Sequence, residues 1–117
     1  MESRLRNAND PDTWGPLPGP SHPDFDSAEE LCLLQECARA VLRMGPDWAV
    51  GLNVDEPFYP CVEVYRGGIQ CAEIHVVLGV RSGDPLRLGV FAVGDLQAEL
   101  YAGSAAVAAA HVAGLRG

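Results

Sequence analysis

Strict two-residue alternation runs from Tyr59 to Val80 on both sides of a glycine pair, and few arrangements other than a β-hairpin with one buried face accommodate it. Val62 and Val64 alternate with Cys61, Glu63 and Tyr65; beyond Arg66-Gly67-Gly68, Ala72, Ile74, Val76 and Leu78 alternate with Cys71, Glu73, His75 and Val77. A two-residue Gly67-Gly68 turn would set Arg66 opposite Ile69 and mix the core and solvent sets. A three-residue loop with a left-handed glycine keeps them apart, so the expected register pairs Tyr65 with Ile69 and Val62 with Ala72.

The flanking segments supply further elements. Ser27 to Met44 carries Leu31, Leu34, Cys37, Ala38, Val41 and Leu42 at helical spacing, and either Ser27 with Glu30 or Asp26 with Glu29 can cap it. Glu36 and Arg39 are spaced to pair outside that stripe, and Gly45-Pro46 ends the helix. Trp48 to Val54 and Leu86 to Val93 alternate as strands, and a second helix is expected from Asp95 to Gly114, with Gly103-Ser104 as a kink. The expectation is an α+β domain: a four-stranded antiparallel meander in the order α-β-β-β-β-α, with both helices packed on one sheet face. That domain spans residues 26–117. Residues 1–25, with five prolines among polar residues, read as a flexible acidic tail in which Trp14 can dock on the domain.

Charge narrows the function classes. Sixteen acidic residues face eight basic ones, all arginine, for a formal charge of −8. A GC-rich genome accounts for the missing lysines. Nucleic acid and anionic membranes demand a basic footprint, so neither is an expected partner. No apolar run reaches the roughly 18 residues of a bilayer span, and Met1 is followed by charged and polar residues, so the expected location is the cytoplasm. In that reducing compartment Cys32, Cys37, Cys61 and Cys71 are expected as free thiols.

On the expected register, Cys61, Glu63, Tyr65, Ile69, Cys71, Glu73 and His75 share one hairpin face, with Cys61 opposite Glu73 and Glu63 opposite Cys71. Cys61, Cys71, Glu73 and His75 are metal-ligating types, but their spacing follows no zinc motif, and cross-strand polar pairing explains them as well. No motif supplies a nucleophile with its base and oxyanion hole, and the Gly67-Gly68 pair opens a strand rather than a phosphate-binding helix. The expected function is therefore non-enzymatic and cofactor-free. It is a small bacterial or phage protein-binding module, an inhibitor or immunity-type antagonist of a basic nucleic-acid-handling protein or toxin. Asp55, Glu56, Glu63, Tyr65, Glu73 and Phe91 are its expected partner-binding residues. The alternatives are a homodimeric structural or adaptor subunit that stacks its open sheet faces, and a metal- or ligand-binding module centred on the 61–75 hairpin.

Overall fold

The computed structural model describes residues 5–6, 9–15, 26–53, 60–77, 87–93 and 100–114. The chain is an α+β protein in which an antiparallel meander carries both helices on one face. In chain order the elements are β1 (Leu5–Arg6), a 3-10 turn (Pro11–Thr13), α1 (Ser27–Leu42), β2 (Trp48–Asn53), β3 (Cys61–Arg66), β4 (Ile69–Val77), β5 (Arg87–Ala92), β6 (Leu100–Ala102) and α2 (Ala105–Gly114). Among the described residues the sheet has six strands in sequential order, two more than the alternation predicts. The additions are the short edge strands β1 and β6. No described helix is long and apolar enough to cross a membrane.

The hairpin turn departs from the expected three-residue loop. Arg66 pairs directly with Ile69 across Gly67 and Gly68, whose φ values of 59° and 83° are the left-handed pair that a two-residue turn of matching twist requires. The mixing of faces is then undone by a β-bulge. Tyr65 pairs with Gln70 and Val64 with Ala72, which leaves Cys71 as the extra residue on β4. Parity is restored with the partners displaced by two. Val62 faces Ile74 rather than Ala72, and Glu63 faces Glu73 rather than Cys71. Because left-handed backbone costs an L-residue about 1–2 kcal/mol, Gly68→Val is expected to destabilise by that amount. Gly67→Asn should cost less than about 0.5 kcal/mol, since Asn-Gly suits this turn. Equilibrium denaturation of the two variants checks the difference.

Asp26, in extended conformation, caps α1 by accepting from the Ala28 and Glu29 amides at 2.8 and 3.2 Å. The buried side of the helix is Glu30, Leu34, Cys37, Ala38, Ala40 and Val41. Glu30, read in the sequence as a possible capping partner of Ser27, is fully buried. Burial, helped by the neighbouring Glu36 charge, pushes the Cys37 thiol up to about 12. Arg39 bonds Asp12 rather than Glu36, with its Nε 3.1 Å from Asp12 Oδ1 and its Nη2 on the same oxygen. This contact helps to hold the 3-10 turn on α1, and Trp14, which follows the turn, lies in the core with 0% exposure.

The inward set of the sheet is Trp48, Val50 and Leu52, then Val62 and Val64, Ala72, Ile74 and Val76, Leu88 and Val90, and Ala102. Helix α1 covers β2 to β4, and α2 lies over β5 and β6 beside α1. The Arg66 guanidinium stacks over the Trp48 ring at 5.0 Å, closing the end of the core where the two residues pair across strands.

The second helix is shorter than its spacing predicts. Leu100 and Ala102 pair with Val90 and Leu88, so Leu100–Ala102 is a strand on the outer edge of β5. Gly103 and Ser104 break the chain direction, and the Ser104 hydroxyl then caps α2 by accepting from the Val107 amide at 3.3 Å. Leucine and alanine are strong helix formers, so the alanine-rich pattern reads past the true start of the helix until pairing with β5 overrides propensity.

Candidate functional site: the sheet face opposite the helices

Directly paired residues on neighbouring strands share a face, so the register lists which side chains meet away from the helices. On β2 and β3 these are Ala49 with Tyr65, Gly51 with Glu63, and Asn53 with Cys61. On β4 and β5 they are Glu73 with Phe91, His75 with Gly89, and Val77 with Arg87; Tyr101 of β6 extends the row beside Gly89. Two different surfaces result.

Around β3 the face is dry. Glu63 has 0% exposure, Cys61 is equally buried, and Asn53 is nearly so. Buried carboxylates need donors, and Glu63 has one on each oxygen. Asn53 Nδ2 donates to Oε2 at 2.7 Å, and the Tyr65 hydroxyl donates to Oε1 at 2.7 Å. Gly51, across the strand, has no side chain to crowd that carboxylate. The ligating atoms of Cys61, Glu63 and Glu73 all lie within 4.8 Å of one another. His75 Nε2 is 3.6 Å from Glu73 Oε1, and the His75 ring meets Phe91 edge-on at 5.0 Å.

From β4 to β6 the face opens. Glu73, His75, Val77, Arg87 and Phe91 are half-buried, and Tyr101 is 57% exposed. Ile69, at the turn, is 64% exposed.

Of the expected partner-binding residues, Glu63, Tyr65, Glu73 and Phe91 lie on this face. Asp55 and Glu56 lie outside the described residues. Glu63 has no surface to present; it sits beneath the face and orients Asn53 and Tyr65. Of the metal-ligating candidates, Cys61 and Glu73 come together with Glu63, and His75 lies beside Glu73, whereas Cys71 packs in the core, where burial raises its thiol against the lowering influence of Arg66. Sequence reading missed Tyr101 because its strand looked helical; the alternation of Leu100, Tyr101 and Ala102 just before Gly103 was the available signal. It also took Glu63 for a partner-contacting residue, whereas Glu63 is a buried centre.

No protein-family model matches the chain, and neither any curated protein nor any solved structure matches it.

Proposed function

We propose that the chain is a non-enzymatic protein-binding module whose sheet face along β4 to β6 receives a basic partner, in the manner of an inhibitor or immunity-type antagonist of a nucleic-acid-handling protein or toxin. The observation that supports this reading is the row Glu73, Phe91, His75 and Tyr101, where aromatic surface and a carboxylate stand together on a face that neither helix covers. Half-exposed aromatics beside a charged group are the composition of a binding hot spot. The formal charge of −8 favours a basic partner and speeds encounter, so association should weaken as salt rises. Tyr65 borders the row, Glu63 supports it from beneath, and Asp55 and Glu56 join the proposed contact set on sequence grounds.

The test uses matched baits of wild type, Glu73→Arg and Tyr101→Asp. A basic protein retained by wild type should bind each variant about tenfold more weakly or worse, as loss of a hot-spot contact implies. A partner held equally by all three overturns the assignment of this face. A native mass of twice the 12.4 kDa chain would transfer the face to self-association.

A further inference from the structure

We propose that Cys61, Glu63 and Glu73 hold one divalent cation of the zinc class, with His75 as the fourth donor. This site shares Glu73 and His75 with the proposed partner-binding row but does not depend on that reading, and its Cys61 and Glu63 lie deeper in the same face.

Donor chemistry carries the choice of ion. A thiol, an imidazole and two carboxylates form a set that zinc takes readily, whereas calcium and magnesium seek oxygen alone. Geometry brings the thiol and the two carboxylates together without a sequence motif, and sets His75 beside Glu73. Glu63 and Glu73 are direct cross-strand partners, and Cys61 is two residues from Glu63 on the same side of β3. The three ligating atoms lie within 4.8 Å of one another. Tetrahedral zinc with bonds of about 2.0–2.3 Å sets its donors roughly 3.3–3.8 Å apart. The cluster therefore has to contract by about 1.5 Å at most, which side-chain torsions can supply. His75 Nε2 already stands at such a spacing, 3.6 Å from Glu73 Oε1.

The outer shell is built as well. Ligating carboxylates are commonly held by hydrogen bonds from a second layer, and Glu63 has Asn53 on one oxygen and Tyr65 on the other. Cys61 and Glu63 are fully buried, while Glu73 and His75 are partly open, so the ion has a route in from the β4 side. On loading, the Cys61 thiol releases its proton to solvent, and the thiolate with two carboxylates offsets the cation's charge.

The test is a cobalt(II) titration of the whole, reduced protein, followed by zinc competition and native mass spectrometry. One cobalt per chain, with an intense sulfur-to-cobalt charge-transfer band and displacement by zinc, is expected. Cys61→Ser should abolish that band, and Glu73→Gln should weaken affinity about tenfold or more. Cys32→Ser, which removes an exposed thiol on α1, should change neither. Absence of stoichiometric binding to wild type overturns the proposal whatever the variants do, as does a charge-transfer band that survives Cys61→Ser. Because wild type alone can refute the site, poor folding of a variant cannot rescue it.

Discussion

Trp14→Ala is expected to destabilise the protein by about 3–5 kcal/mol, the range for emptying a buried aromatic site. That is a large part of the roughly 5–15 kcal/mol that separates folded from unfolded domains. The reason lies in how residues 9–15 are held. Asn9, with φ of 65°, adopts a left-handed backbone that asparagine tolerates, and it engages β2 twice. Its amide donates to the Val50 carbonyl at 2.8 Å, and its Oδ1 accepts from the Val50 amide at 2.9 Å. The 3-10 turn follows, and Gln35 Nε2 donates to the Pro11 carbonyl at 2.8 Å. Trp14 then enters the core, and Gly15 passes so close to α1 that a Cβ there would lie 2.7 Å from Leu31 Cδ2.

The contrasting variant is Asp12→Ala. It breaks the bond to Arg39, but both side chains are substantially exposed, so solvent screening limits the loss to less than about 1 kcal/mol. Urea denaturation followed by circular dichroism separates the two. A Trp14→Ala midpoint indistinguishable from wild type would show that the segment contributes nothing to the folded state in solution.

Glu63→Ala is expected to cost about 3 kcal/mol or more, and Glu63→Gln less, about 1–2 kcal/mol. Two opposing effects meet at this residue. Glu63 faces Glu73 across the strands, and like charges so placed repel. Removing one would relieve that repulsion. The other effect is the pair of 2.7 Å hydrogen bonds that the carboxylate accepts from Asn53 and Tyr65 in a site closed to water. Hydrogen bonds to a charged group contribute about 1.5–3 kcal/mol each, while Glu73 is partly exposed, so its repulsion is screened. The hydrogen bonds win. Glutamine keeps one acceptor oxygen and therefore part of the contribution. A neutral or stabilising Glu63→Ala in chemical denaturation would show that repulsion dominates.

Local chemistry made much of this legible. Asp26 could be read as a cap because a carboxylate two residues before Ala28 reaches its amide from within one turn. The inward sets Val62, Val64 and Ala72, Ile74, Val76 could be read because side chains alternate wherever a strand is extended. Gly67-Gly68 marked the turn, since its left-handed backbone is open to glycine at both positions.

What lay beyond reach depended on distant partners. The bulge at Cys71 arises because the tight turn and the two inward sets demand different parity, a conflict visible only when β3 and β4 are paired. Tyr101 belongs to a strand because β5 offers Leu100 and Ala102 an edge, and a three-residue alternation is a weak signal beside the helical pattern that follows it. Glu30 could be read only as a possible capping partner, yet it is fully buried; Trp14, which could be read as docking on the domain, lies in the core. The grouping of Cys61, Glu63 and Glu73 has the same origin, as a two-residue displacement of register moved Cys71 away and brought Glu73 opposite Glu63. Short-range periodicity thus determined which residues face inward. Pairing and packing between segments far apart in the chain decided who meets whom, because those contacts are chosen by the free energy of the whole assembled core.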